Sequence, residues 1–362
     1  MTSKKLLSVG IVNFNGMETI DSVIASIRSQ DVRIDRLLVV DNASTDGSRE
    51  WIVKHHPEID VIALPENRGP AAARNRLLQE ARSPWLLLLD NDIVLEPDAC
   101  RKMVHIFQAH PDIVLCHPEI RDDADPLAYH YNGGWIHYLG AFISRKKPEP
   151  FPSRPEFETF DTVSGAAMLV RRQDALDVGG FDEDYVFNWE DGDFCIRLTL
   201  SGGKCVNVPE AVAHHRGKSR GMAKIYYQAR NRWMFLLKFF EWPTLLLSLP
   251  MLAFFEAAQL GFVCLKGAGG DYLRGLRDVI RMLPLLLQKR KAFFPWKCRR
   301  DAEWLRSGEM FVSGNLKASR TVVRSMAVMN RIFDLWWKTI VRPCLKRRTT
   351  GKQRWSKLFS AP

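Results

Sequence analysis

The first hundred residues alternate short apolar runs with helix-like stretches, and this alternation limits the possible folds more than any other feature of the chain. The apolar runs lie at 6–12, 36–40, 61–64 and 85–89, and stretches typical of helices lie between them at 19–30, 48–55 and 70–81. Strands that alternate with helices predict βαβ units and a mainly parallel sheet. The last run is apolar throughout, as expected for a strand that is buried on both faces. We therefore expect an α/β fold.

Polar residues follow each of the four predicted strands at the point where the strand ends. They are Asn13 and Asn15, Asp41 and Asn42, Asn67 and Arg68, and Asp90, Asn91 and Asp92. In open α/β sheets, ligands bind beyond the carboxyl ends of the strands. An ordinary hydrophilic loop is the alternative at any single strand, but four strands that end this way predict a ligand site along one edge.

Asp90 and Asp92 place two carboxylates directly after the most apolar of these strands. A hard divalent cation such as Mg²⁺ or Mn²⁺ prefers one or two carboxylates together with phosphate oxygens. A solvated turn is the alternative interpretation of a short D-x-D segment. Its position in this α/β pattern favours a metal site.

A second acidic group, Glu190, Asp191 and Asp193, follows an aromatic-rich segment and precedes a helix predicted at 194–200. Carboxylates at the start of a helix also interact favourably with its dipole, so capping alone could explain one of them. Bulky apolar neighbours can raise the pKa of a carboxyl group and suit it to act as a general base. The group is therefore a candidate for proton transfer.

His214 and Arg74 are candidates with open alternatives. His214 is expected in a loop after a strand at 204–208, either as a further ligand of a metal bound by Asp92 or as a structural histidine. Arg74 belongs to the helix predicted at 70–81 and could reach a diphosphate or remain a solvated surface residue.

Several enzyme classes lose support because their motifs are missing from the sequence. It contains no G-x-x-x-x-G-K-[ST] phosphate loop, no G-x-G-x-x-G after the first strand, no G-x-S-x-G elbow and no Cys/His zinc spacing. The seven cysteines are widely spaced and include no C-x-x-C pair, which favours free thiols in a reducing compartment. The N-terminus matches a signal peptide poorly, so we expect a cytoplasmic location.

Charge is distributed unevenly along the chain. Residues 267–362 contain 22 basic and 6 acidic residues, whereas residues 1–266 contain 30 basic and 35 acidic residues. An acidic body is therefore followed by a basic tail. Such a tail predicts binding to an anionic partner, either a membrane surface or a nucleic acid.

A series of motifs between Val9 and about Trp233 identifies a family. In chain order they are VGIVNFNG, VVDNASTDGS, ENRGPAAARN, LLLLDNDIVLEP, SGAAMLVRR, GGFDEDY, WEDGDFCIRL and HHRGKS. As a set, they resemble the family-2 inverting glycosyltransferases, especially the bacterial rhamnosyltransferase-like group. The resemblance implies the GT-A fold, a nucleotide-binding α/β half followed by an acceptor-facing half on the same sheet.

The resemblance also implies roles for residues at the strand ends. Phe14 and Asp41 would hold the nucleotide base, Asn67 and Arg74 would lie nearby, and Asp90 would contact the ribose and the metal. The donor would be a dTDP-, UDP- or GDP-sugar, because base-contacting residues of the family serve all three.

The same resemblance implies the metal and the base. Asp92, with Asp90 and His214, would bind a divalent Mn²⁺ or Mg²⁺ ion that carries the donor diphosphate. Asp191 would be the catalytic base, with Glu190 as the second choice. Direct attack by an acceptor hydroxyl would invert the anomeric configuration, through an oxocarbenium-like transition state. One departure is that residues 228–233 contain one residue too many for the Q-x-x-R-W motif of processive synthases, which favours addition of one or a few sugars.

Residues 244–265 are long and apolar enough to cross a bilayer. A single crossing would put the basic tail outside, against the positive-inside rule. The tail also contains amphipathic stretches at 272–287 and 332–345, which are typical of helices in an anionic interface. We expect a re-entrant hairpin bent near Pro250 or in-plane helices, with a single span and a buried soluble subdomain as alternatives.

These observations predict a transferase domain at 1–240, divided into a nucleotide-binding half at 1–100 and an acceptor half at 101–240, and a helical membrane-associated tail at 241–362. The expected partners are a nucleoside-diphosphate sugar, a saccharide acceptor that is lipid-linked, and an anionic membrane surface, without nucleic acid. The expected location is the cytoplasmic face of the cell membrane. A sugar-nucleotide nucleotidyltransferase and a non-enzymatic binding protein are the alternatives.

Overall fold

The chain divides into two compact units in a computed structural model that describes residues 7–122, 131–144, 155–216, 225–310 and 320–346. The first unit comprises residues 1–133, 144–199 and 203–218, and the second comprises 134–143, 200–202 and 219–362. Residues 219–240 thus group with the second unit, and the predicted domain boundary at 240 stays a prediction. The end of the HHRGKS motif and residues 347–362 of the basic tail lie outside the described residues.

One mixed sheet forms the centre of the first unit. Its strands are β1 (Leu7–Asn13), β2 (Arg36–Asp41), β3 (Asp60–Ala63), β4 (Trp85–Asp90), β5 (Ile93–Leu95), β6 (Ile113–Asp122), β9 (Glu158–Phe160), β10 (Ala167–Arg171) and β11 (Lys204–His215). The second unit contributes the short pair β7 (Gly134–Ile136) and β8 (Phe142–Ser144). The order in the main sheet is β3-β2-β1-β4-β10-β6-β11-β5, with β9 paired to β11.

The helices of the first unit connect successive strands. They are α1 (Ile20–Arg28), α2 (Ser48–His55), α3 (Gly69–Glu80), α4 (Ala99–Ala109), α5 (Arg172–Asp177) and α6 (Glu190–Leu200). Gly69 and Pro70 open α3, as expected because proline fits the first turn of a helix. Short β-strands alternating with these helices confirm the predicted α/β class.

Parallel pairing brings the ends of the first strands to one edge of the sheet. Asn13 is in register with Asp41, and Val12 is in register with Asp90. The strands themselves are apolar and buried, as Ile11, Val39 and the run of leucines in β4 show. This packing leaves the polar residues at the strand ends together at one edge of the sheet, where the sequence predicts a ligand site.

The last strand is longer than the sequence predicts. β11 runs through residues 204–215, because its second half pairs with both β6 and β5. His214 and His215 therefore lie in a strand, and their predicted position in a loop is wrong. Neighbouring residues in a strand face opposite sides, so the two histidines have different surroundings.

The second unit is mainly helical in its described part. Its helices are α7 (Ile225–Phe239), α8 (Trp242–Leu265), α9 (Gly269–Phe293), α10 (Asp301–Trp304), α11 (Arg320–Trp336) and α12 (Arg342–Lys346), with a π-helical stretch at Trp337–Val341. Close packing of α7 on α9 depends on Gly275, where a Cβ atom would lie 2.6 Å from the carbonyl oxygen of Tyr226.

The predicted hairpin bent near Pro250 is wrong, because α8 passes through this residue as one helix. Proline removes one intrahelical hydrogen bond but does not have to end a helix that is held by contacts with other helices. The indole nitrogen of Trp336 donates to the carbonyl oxygen of Leu247 at 3.0 Å, within the same turn. Among the described residues, α8 is the one helix long and apolar enough to cross a membrane, with 22% of its apolar window buried.

Candidate active site

Asn13 is the central hydrogen-bonding residue at the edge of the sheet. Its amide nitrogen donates to Asp41 Oδ1 at 2.8 Å and to Ser48 Oγ at 2.9 Å, and its side-chain oxygen accepts from Asn91 Nδ2 at 2.9 Å. The side chain is fully buried, so these bonds replace its contacts with water. Asn13 therefore holds together the loops that follow β1, β2 and β4.

Asp41 is fully buried behind this residue. Its carboxylate also accepts hydrogen bonds from the backbone nitrogen of Ser44 at 3.0 Å and from the Ser44 hydroxyl at 2.6 Å. Asp41 thus shapes the loop between β2 and α2 in this structure. Its predicted contact with a nucleotide base stays a prediction, as does that of Phe14, whose side chain is 37% exposed.

Asn67 is an exposed residue that shapes the start of α3. Its side-chain oxygen accepts from Asn42 Nδ2 and from the backbone nitrogen of Gly69, both at 2.9 Å. Gly69 has a positive φ of 83°, and a Cβ atom there would lie 1.8 Å from the carbonyl oxygen of Val186. Only glycine fits this close backbone approach without displacement.

The segment that approaches Gly69 is strained. Val186, Asn188 and Trp189 have positive φ values of 58°, 69° and 76°, although none of them is glycine. Such conformations cost about 1–3 kcal/mol each and cluster at functional sites. Here they directly precede Glu190 and Asp191 at the start of α6.

Arg74 connects the edge of the sheet with the start of α6. Its guanidinium group donates to Asp90 Oδ1 at 2.9 Å, to Glu190 Oε1 at 3.1 Å and to the carbonyl oxygen of Gly165 at 2.9 Å. The side chain is only 2% exposed and lies over the ring of Phe181. Arg74 is therefore a buried bridge between carboxylates rather than a solvated surface residue.

This bridge changes the acidity of the groups around it. Burial opposes the charge of Arg74, but Asp90, Glu190 and Asp191 together raise its pKa, so it stays protonated. Burial raises the pKa of Asp90 despite the opposing effect of Arg74. Burial and the neighbouring Asp191 raise the pKa of Glu190 from 4.5 to about 7. The Oε2 atom of Glu190 is buried and has no hydrogen-bond partner in the described part of the chain.

Asp191 is held by backbone groups. Its Oδ2 accepts from the nitrogen of Gly165 at 2.9 Å, and its Oδ1 accepts from the nitrogen of Gly192 at 2.7 Å. A Cβ atom at Gly165 would lie 2.9 Å from Arg74 Nη1 and 3.0 Å from the Asp191 Cβ. Gly165 thus contacts both residues, and the sequence signal for it is the second letter of the SGAAM motif.

Asp92 lies beside His215. The Nε2 atom of His215 is 3.4 Å from Asp92 Oδ2, whereas Asp92 Oδ1 is buried without a hydrogen-bond partner among the residues that the structure describes. Burial lowers the pKa of His215, but the hydrogen bond and the negative charge of Asp92 outweigh this effect and raise it. An unpartnered carboxylate oxygen at this edge is chemically suited to a cation.

His214 faces the other way. Its Nε2 atom is 3.2 Å from Glu96 Oε1, on the opposite side of β11 from His215. The histidine beside Asp92 in this structure is His215, and the metal-binding role of His214 stays a prediction. The sequence could have identified His215 only if the strand had been extended to residue 215.

The residues present fit a divalent cation that takes further ligands from a diphosphate. Asp92 offers a free buried oxygen, and Asp90 is a neighbouring carboxylate that is partly engaged by Arg74. In the part of the chain that the structure describes, no group of three or more His, Cys, Asp or Glu residues could hold a metal unaided. This donor set agrees with the preference of Mg²⁺ for one or two carboxylates plus substrate phosphates.

The predicted site residues thus separate into three groups. Asp90, Arg74, Glu190 and Asp191 form one connected cluster, and Asp92 lies at the same strand end. Asp41 and Asn67 belong to the neighbouring loops, and His214 lies on another face. Asn13 was predicted at this edge as a polar strand-end residue without a specific role, and Gly165 was not predicted, although Asn13 bonds to Asp41 and Gly165 bonds to Asp191.

Comparison with known proteins identifies the family. Residues 8–178 match the family described as "Glycosyl transferase family 2". The chain carries a family 2 glycosyltransferase domain. The match confirms the resemblance seen in the motifs and supports a glycosyltransferase.

One relative of known function is similar to this chain in sequence. The N-acetylglucosaminyl-diphospho-decaprenol L-rhamnosyltransferase of Mycobacterium tuberculosis is 28% identical to this chain over 239 residues, which are 60% of this chain and 78% of the relative.

Two solved structures share the GT-A fold. GalNAc-T7, solved with UDP, GalNAc and Mn²⁺, superposes with a TM-score of 0.56 at 16% identity and covers 70% of this chain, which spans about half (52%) of that one. A mannosyltransferase of Pyrobaculum calidifontis, solved with GDP-Man and Mn²⁺, superposes with a TM-score of 0.50 at 18% identity and covers 93% of this chain and 89% of its own. At these identities the likeness establishes the fold.

Proposed function

We propose that the protein is an inverting glycosyltransferase that moves one sugar from a nucleoside-diphosphate sugar to a hydroxyl group of a saccharide acceptor. The observation that carries this proposal is the cluster in which Arg74 joins Asp90, at the end of β4, to Glu190, next to Asp191. Arg74 thereby fixes the position of Asp90, which is proposed to bind the donor, relative to the start of α6, which contains the candidate base. Precise positioning of this kind is a large part of catalysis.

Asp191 is the proposed general base. Two backbone N–H groups hold its carboxylate in place and leave lone pairs free to accept a further hydrogen bond. It takes the proton from the acceptor hydroxyl, whose oxygen forms the new bond to the anomeric carbon. The bond from that carbon to the diphosphate oxygen breaks, and the diphosphate leaves with the electron pair. One displacement inverts the configuration.

Glu190 is proposed to tune this base rather than replace it. It is buried, it shares Arg74 with Asp90, and its pKa of about 7 lets it hold a proton near neutral pH. A neutral Glu190 next to Asp191 removes a repulsive charge from the site. Glu190 remains the second candidate for the base itself.

A divalent Mn²⁺ or Mg²⁺ ion is the proposed cofactor, with Asp92, Asp90 and the nearby His215 as the residues that would hold or orient it. Such an ion, when bound, offsets the charge that develops on the departing diphosphate. The two GT-A neighbours solved with Mn²⁺ support this choice of metal.

The acceptor is proposed to be a lipid-linked or cell-surface saccharide at the cytoplasmic face of the cell membrane. Support comes from the Mycobacterium tuberculosis relative, whose name specifies a decaprenol-linked sugar as its acceptor. The apolar helix α8 is consistent with a place at the membrane. The donor is proposed among dTDP-, UDP- and GDP-sugars.

A thermal-shift screen tests the donor site. Purified protein is heated with UDP-, dTDP- and GDP-sugars, with and without Mn²⁺ or Mg²⁺, in parallel with Asp92→Asn and with Glu210→Gln. Glu210 is an exposed carboxylate of the same strand as His215, so it controls for the loss of one negative charge. A donor at a hundred times its dissociation constant adds about 2.7 kcal/mol of stability.

We expect one nucleotide class to stabilise the wild type and Glu210→Gln in the presence of metal, and not to stabilise Asp92→Asn. The absence of any shift in folded wild-type protein, or equal shifts in Asp92→Asn, would overturn the assignment of the donor site.

A further inference from the structure

The second unit exposes most of the large apolar side chains found on the surface. Among the described residues, eighteen large hydrophobic side chains are exposed, and only Phe14, Met17 and Val53 of them belong to the first unit. The other fifteen lie on α8, α9, the segment after α9, α11 and the π-helical stretch. Exposed apolar surface concentrated in this way indicates an interaction site.

Helix α8 turns its one charged side chain inward and its apolar side chains outward. Glu256 accepts a hydrogen bond from the indole nitrogen of Trp233 at 2.8 Å and also pairs with Arg232 and the hydroxyl of Tyr272. These partners belong to α7 and α9, so the charge is satisfied within the unit. The exposed residues include Leu246, Leu249 and Phe254.

Helix α9 carries an apolar row beside a basic row. Leu273, Ile280 and Leu287 recur every seven residues and are all exposed. Arg274 and Arg281 repeat at the same spacing one position later and are more than half exposed. The helix contains six basic and two acidic residues, so its net charge stays positive even though the acidic residues pair with these arginines.

Helix α11 repeats this arrangement. Val328 and Leu335 are exposed and seven residues apart. Arg324, Arg331 and, in the π-helical stretch, Lys338 are exposed at the same interval. Residues seven apart lie on one face of a helix, so α11 also presents an apolar row flanked by a basic row.

We propose that the second unit lies in the plane of an anionic phospholipid bilayer, with the apolar rows of α8, α9 and α11 in the interface and the basic rows at the lipid phosphates. Apolar residues edged by Arg and Lys are the pattern of interfacial helices. The inference rests on the membrane location in the proposed function, but not on the transfer chemistry, because lipid binding is measured without donor or acceptor.

The contacts of α8 argue against a crossing of the membrane. Glu256 ties α8 to α7 and α9, and both of these helices are rich in basic residues. A crossing by α8 would either break these bonds or draw charged helices into the hydrocarbon, where each charge costs several kcal/mol. An in-plane position keeps every partner of Glu256.

Charge also argues against a second copy of the chain as the occupant. Two copies that met through these rows would bring basic side chains face to face, and like charges opposed across an interface weaken association. An anionic bilayer offers opposite charge along the whole surface.

Vesicle flotation tests the charged rows. Full-length protein is mixed with vesicles of phosphatidylcholine alone or of phosphatidylcholine with phosphatidylglycerol, at low and high salt. We expect flotation with the anionic vesicles, weakened by salt, and a loss of affinity of about tenfold or more in Arg274→Gln/Arg277→Gln/Arg281→Gln. The control Arg33→Gln/Arg49→Gln/Lys54→Gln removes the same charge from the first unit and should bind like the wild type.

The apolar rows need a separate variant. Leu246→Gln/Leu249→Gln should release the protein from anionic vesicles, whereas Val53→Gln, at an exposed apolar residue of the first unit, should not. Circular dichroism checks that each variant is folded. Two results would overturn the proposal. One is unchanged flotation of both Arg274→Gln/Arg277→Gln/Arg281→Gln and Leu246→Gln/Leu249→Gln. The other is a wild type that forms a soluble oligomer and does not bind anionic vesicles.

Labelling of a native cysteine distinguishes an in-plane position from a crossing. Cys264, Cys298 and Cys344 are exposed, whereas the other four cysteines are buried, so Cys264→Ser/Cys344→Ser leaves Cys298 as the exposed thiol. We expect a membrane-impermeant maleimide to label it only after spheroplasts of an expressing bacterium are opened. Labelling of intact spheroplasts would show that α8 crosses, and failure of donor binding would leave both lipid tests unaffected.

Discussion

Arg74 is the side chain that the candidate site depends on most, and its neighbour Arg76 provides a matched control on the same helix. Arg74 is buried and pairs with Asp90 and Glu190, whereas Arg76 is exposed and pairs with Glu80 one turn away. Removing one partner of a buried ion pair leaves an uncompensated charge, at a cost of about 3–5 kcal/mol. An exposed pair on a helix contributes less than about 1 kcal/mol.

We therefore expect Arg74→Met to lower the free energy of unfolding by about 3–5 kcal/mol and Arg76→Met by less than about 1 kcal/mol, measured by urea denaturation. Adding Glu190→Gln to Arg74→Met should recover part of the loss, because it removes one of the stranded carboxylates. Equal losses in the two single variants would contradict the bridging role of Arg74.

Glu190 is expected to make the free energy of unfolding depend on pH. Its pKa is raised from 4.5 to about 7 by burial and by Asp191, so between these values the folded protein holds a proton that the unfolded chain has lost. Stability due to this group is therefore complete below about pH 4.5 and is lost as the pH rises through about 7. The side chain that Glu190→Gln introduces cannot ionise, so this loss of stability with rising pH should disappear in that variant.

Urea unfolding at pH 5.5 and pH 8 measures this effect, with Glu210→Gln as the control for an exposed carboxylate. We expect the wild type and the control to lose more stability than Glu190→Gln between the two pH values. The same loss in all three proteins would show that Glu190 titrates as it does in water.

The sequence predicted some of these residues and could not predict their connections. Asp90 and Asp92 could be predicted because a carboxylate directly after a buried strand lies at the edge of the sheet. The contact of Arg74 with Glu190 joins residues 116 positions apart, and no local pattern encodes it. The sides that His214 and His215 face depend on how far β11 extends, and this is set by its pairing with β5 and β6 rather than by local sequence.

The turn at the start of α3 contacts the strained segment at residues 186–189. Two glycines with nearly the same backbone conformation allow this contact to be tested. Gly69 and Gly179 have φ values of 83° and 85°. A Cβ atom at Gly69 would collide with the backbone of Val186, whereas at Gly179 it would meet none of the described residues within 4 Å.

Gly179→Ala should lower the free energy of unfolding by about 1–2 kcal/mol, the cost of a left-handed conformation. Gly69→Ala should cost about 1–3 kcal/mol more, because the backbone of 186–189 has to move. It should also reduce glycosyl transfer, since this segment leads into Glu190 and Asp191. Equal costs in urea denaturation would mean that the close approach is not maintained in solution.

The strands and helices up to residue 90 agree with the prediction to within one or two residues, because periodicity of apolar residues determines them, whereas the short strand β5 at residues 93–95 was not predicted. The later elements were harder. Short strands such as β9 exist because they pair with β11, which lies far away in the sequence. Helix α8 likewise continues through Pro250 in a tertiary setting that local sequence does not reveal.

The two units of the molecule differ in chemistry in the way that the charge distribution of the sequence anticipates. The first unit contains the family 2 match and buries its apolar residues around a sheet, with carboxylates at one edge. The second is basic and exposes apolar rows on its helices. Sequence composition could separate these chemistries, but it could not distinguish a crossing helix from an in-plane one, since that depends on the partners of Glu256.

The measurement that tests the central claim most directly separates donor binding from transfer. With the donor found in the thermal-shift screen, its dissociation constant and its transfer to membranes of the producing cells are measured for the wild type, Asp191→Asn and Glu210→Gln. We expect Asp191→Asn to bind the donor within about twofold of the wild type and to transfer sugar about a thousandfold more slowly, the effect of removing a general base. Glu210→Gln should match the wild type in both, and transfer by Asp191→Asn at the wild-type rate would contradict the assigned base.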